Sequence, residues 1–410
     1  MSRYYQLIFY LIALSFALWL SFFVSFPSNI PIYTILIACG FLLCARAAKR
    51  KMNFNLSFDV FLFLYVLTVT LGLFFSQNLY VAADVYSFFI LPILPVFYLF
   101  RSEFVSAGNK DVFLVVISGF AGIVALYAVL EFVMRKNALY VYLVANNYYR
   151  YYLIQHRAMA TQIVPQVLGT YLAVCLPATY HFIFNKEKKI TRLLGIICAA
   201  LILCAILCSG QRVALGAMLI ASTVYFFIAN KKVLGIFMML AITGLLLLSL
   251  SQKGVLQKIS MKGFLSHYPY QYRIARLQLT MKMIKEYPAK GIGLGHYKLV
   301  FDRYGHKYVN YYMKTPENMY LMIWCETGGM SLLLFLFFVL SLIKKAFRHI
   351  LLKLPEYKIA LVLTSGLFAL LLSMLTYDAL YWRTPFYLFW IYCGMLASLL
   401  DYGERKCPTN

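Results

Sequence analysis

Acidic side chains are scarce in this chain. Asp and Glu number 14 against 38 Lys and Arg in 410 residues, a formal net charge of +24, and charged residues of both signs make up only 13%. Soluble domains carry about 25%, so an ordinary water-facing globular surface is excluded. A cysteine scaffold is excluded as well. The chain has nine cysteines and no CxxC; Cys39, Cys44, Cys175, Cys198, Cys204, Cys208, Cys325 and Cys393 all sit in apolar runs, and Cys407 is in the tail. They read as small packing residues. No HExxH, GxSxG or Walker loop occurs in a plausible setting. His156, His267, His296 and His306 have no metal-ligand partner at helical spacing and are expected at the surface for the most part. Metal-independent chemistry and no cofactor are therefore expected.

What the chain has instead is hydrocarbon. Hydrophobic residues make up 63%, in recurrent runs long enough to cross ~30 Å of bilayer as helices. About twelve spans are predicted, near 5–26, 30–45, 58–75, 85–100, 112–133, 163–184, 193–208, 213–229, 233–251, 319–343, 359–376 and 385–400. The predicted fold class is all-α and polytopic. Residues 1–251 form a transmembrane bundle of about nine spans and 252–317 a large outer loop with an amphipathic helix; 318–410 add about three spans and a tail. Arg3 followed by an apolar stretch resembles a signal peptide, but the stretch is too long and no cleavage site follows, so it is expected to be a mature helix.

The connections set the orientation. Arg46, Lys49, Arg50 and Lys51 share one loop, Lys186, Lys188, Lys189 and Arg192 another; Lys231 and Lys232 mark a third, and Lys344, Lys345, Arg348, Lys353 and Lys358 a fourth. By the positive-inside rule these are cytoplasmic, as are both termini. The segments 134–162 and 252–317 then lie outside. The latter is itself basic, which a loop of that length tolerates. Within it Ile274, Leu277, Met281 and Ile284 recur at helical spacing, a stripe expected to rest on the bilayer surface. Pro288 ends that helix and Gly291, Gly293 and Gly295 read as a turn rather than a phosphate loop. Nine tyrosines from Tyr268 to Tyr312 suit an interfacial belt or a carbohydrate cleft equally. A basic face outside the cell does not suit nucleic acid.

Polar residues at the outer span ends are few. Arg157, Arg212, Arg273, Glu317, Asp378 and Arg383 are there, with Glu131 and Asp84 completing the acids. Any one arginine can snorkel to headgroups. Several converging on one face would make an electropositive pocket suited to a diphosphate whose lipid tail stays in the bilayer.

Four stretches, SGQRVAL (209–215), RIARLQLTMKMIKEYPAKGIGLGHY (273–297), PENMYLMIWCETGGMSLLL (316–334) and YDALYWRTP (377–385), resemble in order, spacing and sidedness the motifs of the O-antigen ligase and polymerase superfamily of integral membrane C-type glycosyltransferases. The resemblance covers roughly residues 150–390. It implies a donor glycan on undecaprenyl diphosphate at the periplasmic face of the bacterial inner membrane, passed to another glycan or to lipid A-core. It also implies that Arg157, Arg212 and Arg273 contact the diphosphate.

In one respect the chain departs from that pattern: ligases carry histidine directly before the asparagine, and here Glu317 precedes Asn318. The exchange favours a polymerase over a ligase. Glu317 is the candidate base or acceptor-positioning group, or a favourable helix-terminal charge. Asn318 orients it or caps the helix, and Asp378 is a second acid candidate unless it pairs with Arg383. Arg276, Glu326 and Arg383 are supporting candidates, with Glu326 deeper and expected to hold helices together. A reading of another class, a lipid-linked oligosaccharide flippase or transporter, fits twelve spans but expects midplane charges and related halves, neither of which is evident.

Overall fold

The computed structural model describes residues 58–105, 110–137, 156–162, 164–185, 189–229, 268–304 and 315–406. The predicted spans 5–26, 30–45 and 233–251 lie outside these residues. Among the described residues the chain is helical and has no strand. In order the helices are α1 (Asp59–Leu73), α2 (Leu79–Phe89), α3 (Ile93–Glu103), α4 (Lys110–Met134), α5 (Pro165–Asn185), α6 (Lys189–Ser209), α7 (Arg212–Ala229), α8 (Tyr268–Glu286), the short α9 (Tyr297–Val300), α10 (Met319–Thr327), α11 (Gly329–Leu351), α12 (Tyr357–Ser373) and α13 (Arg383–Lys406). Seven segments are long and apolar enough to cross a membrane, with α2 and α3 counted as one, and the shorter α1 and α12 are apolar too. In hydrocarbon a helix satisfies its backbone within itself, which is why apolar runs fold this way.

The bundle is layered around two inner helices. The most apolar windows of α5 and α13 are 89% buried, against 28% for α6. α5 packs on α4, α6, α7, α12 and α13, and α13 also packs on α3 and α11. Gly169 allows a close approach of α5 to α7, since a Cβ there would lie 2.7 Å from the Ala214 side chain. Exposed apolar residues such as Leu193, Ile197 and Leu207 of α6 form the outer, lipid-facing surface.

Two predicted spans are each two helices. The run 85–100 is interrupted at 90–92, where Pro92 caps α3 and Pro95 occupies its first turn. The run 319–343 is broken at Gly328, whose φ of +87° ends α10 and starts α11. A Cβ at Gly328 would lie 1.9 Å from the Ala289 carbonyl oxygen, so this crossing of the 288–297 loop over the break requires glycine.

α8 buries a different face from the one its apolar spacing predicts. Ala275, Arg276, Leu279, Thr280, Met283 and Ile284 are buried, while Leu277 is exposed. The helix packs on α10, and a protein neighbour, unlike a lipid surface, supplies partners that let Arg276 and Thr280 go inside. His296 is a second correction. It is buried, its Nδ1 donates to Leu294 O at 2.8 Å and its Nε2 accepts from Asn78 N at 2.9 Å, so it fastens the glycine loop to the start of α2.

Candidate active site

α8, the mouth of α10, the 374–382 connection and the starts of α5 and α7 meet at one end of the bundle. Asn318 caps α10, its Oδ1 accepting from Leu321 N at 3.0 Å, and its Nδ2 donates to Leu375 O at 3.1 Å. Met319 N donates to Met374 O at 2.8 Å. The cap thus joins the start of α10 to the end of α12, and it sets the residue before it in an unusual conformation. Glu317 has φ +50°, a region that costs a non-glycine residue about 1–2 kcal/mol. Its carboxylate lies between two guanidinium groups of α8: Arg273 Nε donates to Oε2 at 3.1 Å, and Arg276 Nη1 pairs with Oε1 at 2.7 Å. Arg273 is exposed and Arg276 wholly buried. Residues 273 and 276 share a face at i, i+3, so one helix presents both cations to one carboxylate.

Asp378 stands close to this cluster. Burial pushes its carboxyl above the usual carboxylate range and the Glu317 charge adds to the push, while its own backbone hydrogen bond, Lys298 and Arg276 pull against it. Arg383 lies over the Phe88 ring, with its Cζ 5.3 Å from the centroid.

Beside Glu317 opens a small, mostly polar pocket, lined by Gln166, Thr170, Gln211, Val213, Ala214, Arg273, Glu317, Thr376 and Tyr377. Arg157, in the turn ahead of α5, lies against the turn before α7. Its Nε donates to Ser209 O at 3.1 Å, and its side chain lies over Gly210, which has φ +64° and no Cβ to obstruct it. The Glu131 carboxylate fixes the turn that carries Arg157, accepting from Met159 N at 3.0 Å and Ala160 N at 2.5 Å. Arg212 is exposed at the first position of α7 and does not line the pocket.

Glu326 serves a separate cluster deeper in the protein. It accepts from Gly295 N and Tyr297 N, each at 2.9 Å, and from the Tyr381 hydroxyl. With Ile292 N on Cys325 O at 2.8 Å and Gly329 N on Pro288 O at 3.0 Å, it locks the glycine loop against the break between α10 and α11.

Glu317, Asn318, Asp378, Arg273 and Arg276 are therefore brought together; Arg157 sits at the adjoining turn, and Glu326 and Arg383 have other neighbours. The sequence reading missed Gln166, Gln211, Thr170 and Tyr377. The only sequence signal for them is glutamine at the mouth of an apolar span, in the stretches VPQVLG and SGQRVAL.

Fold and site together define a multi-pass helical membrane protein with an arginine–carboxylate centre at one end of its bundle. Residues 194–336 match the family model described as O-antigen ligase. That match supports the likeness to the O-antigen ligase and polymerase superfamily, whose members are glycosyltransferase-like ligases and polymerases. The matched span takes in the turn before α7, all of α8, the glycine loop and Glu317 with Asn318. No curated protein matches the chain.

Proposed function

We propose that this protein moves a glycan from an undecaprenyl-diphosphate-linked donor at the periplasmic face of the inner membrane, and that it polymerises surface polysaccharide repeats. The observation that carries this reading is the Glu317 carboxylate held between Arg273 and Arg276. Arginines at this position suit a diphosphate, with Arg157 assisting from the turn ahead of α5 and Arg212 from the first position of α7. Once the diphosphate takes over the guanidinium charge, Glu317 is left to the acceptor. The acceptor hydroxyl oxygen attacks the anomeric carbon, its proton passes to Glu317, and the bond from that carbon to the phosphate oxygen breaks. The leaving undecaprenyl diphosphate keeps the electron pair, and the arginines stabilise its charge. Asn318 positions Glu317 by capping α10, and Asp378 is the second carboxyl within reach.

The family description favours a second reading, transfer to lipid A-core. Both are tested with purified protein, lipid-linked oligosaccharide and each acceptor in turn. Lengthening of the lipid-linked glycan supports polymerisation, and glycosylated lipid A-core supports ligation. Lipid-linked glycan crossing vesicle membranes without transfer would overturn both in favour of a flippase.

A further inference from the structure

The pocket beside Glu317 contains polar atoms that the fold leaves unused. Gln166 Oε1, at the start of α5, and Gln211 Nε2, ahead of α7, are buried and have no hydrogen-bond partner among the described residues. Both residues line the pocket, and Gln211 is only 8% exposed. Buried polar atoms in native proteins are nearly always paired, so an orphaned acceptor and an orphaned donor in one pocket call for a bound group. That group must donate a hydrogen bond to Gln166 and accept one from Gln211. A hydroxyl does both, and two neighbouring hydroxyls on a ring do both at once. The rest of the lining has the same character: Thr170, Thr376 and Tyr377 bring further hydroxyls, and Val213 and Ala214 give a small apolar wall. An isoprenoid tail has no use for such a lining.

We infer that this pocket is the subsite for the acceptor sugar, with Gln166 Oε1 and Gln211 Nε2 reading its hydroxyls and delivering one of them to Glu317. The inference rests on the glycan-transfer reading. The acceptor is chosen over the donor because Glu317 shares the pocket with both amides, and the group that surrenders a proton to a carboxylate is the acceptor hydroxyl. The donor's diphosphate belongs at the pocket's charged edge, on Arg273. Gln166 and Gln211 come from different helices, α5 and the approach to α7, whose spacing is fixed by the contact at Gly169. The separation of the two amides is thus set by the bundle, which suits a specificity-determining pair.

The test uses the full chain in detergent with short oligosaccharides released by mild acid from the host's own surface polysaccharide. Saturation-transfer NMR reads their binding with no donor present. Wild type is expected to bind them, and Gln166→Leu, Gln211→Leu and the isosteric Gln211→Glu each to weaken binding by about tenfold. In the transfer assay the same variants should raise the acceptor KM by a similar factor and leave the donor KM within about twofold. Thermal melts identify any variant that has failed to fold, and Gln211→Glu retains the side-chain shape if the leucines disrupt it. Equal saccharide binding by wild type and folded variants would overturn the subsite and assign the amides to resident water. A rise in donor KM in place of acceptor KM would overturn the acceptor assignment. Saccharide binding that depends on both amides, in a wild type that transfers nothing, would support the subsite and overturn the transfer reading alone.

Discussion

Glu317 is a carboxylate in a strained backbone conformation, held by two guanidinium groups from a neighbouring helix. In the absence of substrate it occupies the charge that a phosphate would take. Glu317→Gln keeps the shape and removes that competitor. The variant should bind undecaprenyl diphosphate or inorganic pyrophosphate several-fold more tightly than wild type, read by calorimetry in detergent. It should also lose transfer by a factor of about 10²–10⁴, the usual loss with a general base. Weaker pyrophosphate binding would mean that the carboxylate organises the arginines instead of competing for them. Asp378 has the opposite problem, a carboxyl pushed up by burial and by the charge of Glu317. The native state holds its proton more tightly than the unfolded chain, so ionising it costs stability as pH rises from the usual carboxylate range through the raised folded value. Asp378→Asn should therefore melt above wild type at neutral pH, with the gap closing as pH falls below the usual carboxylate range. A gap independent of pH would mean that its charge plays no part in stability.

At the scale of elements, the break between α10 and α11 and the glycine loop crossing it form one unit. Gly328 and Gly291 both have positive φ, and a Cβ at either would collide with the other strand of the crossing, at the Ala289 oxygen for Gly328 and at Glu326 main-chain atoms for Gly291. Gly328→Ala should destabilise the protein by at least about 3 kcal/mol, the scale of severe overpacking with backbone strain, read as a lowered melting temperature in detergent. Much of this region was legible in the sequence. Pro288 ends α8 close to its predicted end, and GIGLG is a turn, because proline and glycine act through local backbone geometry. The face that α8 buries was not legible. Apolar spacing pointed to Ile274, Leu277, Met281 and Ile284, whereas the buried set includes Arg276 and Thr280. A buried arginine depends on a partner, and Glu317 lies far along the chain and arrives only when α10 packs against α8. The paired glutamines of the pocket were illegible for the same reason, since neither is unusual until α5 and the start of α7 bring them together.

At the scale of the whole molecule, the two ends of the bundle differ in how they use charge. At the far end from Glu317, Arg101 is buried between Asp59 at 2.6 Å and Asp401 at 2.8 Å, joining α1, α3 and α13. Lys345 pairs with Glu404 at 3.0 Å near the same end. There the cations are matched in closed pairs that hold helices together, while at the Glu317 end the carboxylate and Arg273 line an open pocket. α11 runs from one end to the other, and at ~1.5 Å per residue its 23 residues cover about 34 Å, a full bilayer core. On the proposed function, a lipid-linked donor assembled inside the cell and used outside requires the open end to face the periplasm. The clustering of Lys344, Lys345, Arg348 and Lys353 at the far end of α11 supports that orientation. In a background with all nine native cysteines replaced, Leu375→Cys and Leu352→Cys offer exposed reporters at the two ends. A membrane-impermeant maleimide applied to intact spheroplasts should label position 375 directly, and position 352 only after the membrane is opened. The reverse pattern would place the arginine–carboxylate centre in the cytoplasm. There the diphosphate carrier would meet the site before translocation, and the geometry would have to serve assembly of the lipid-linked glycan instead of its transfer onward.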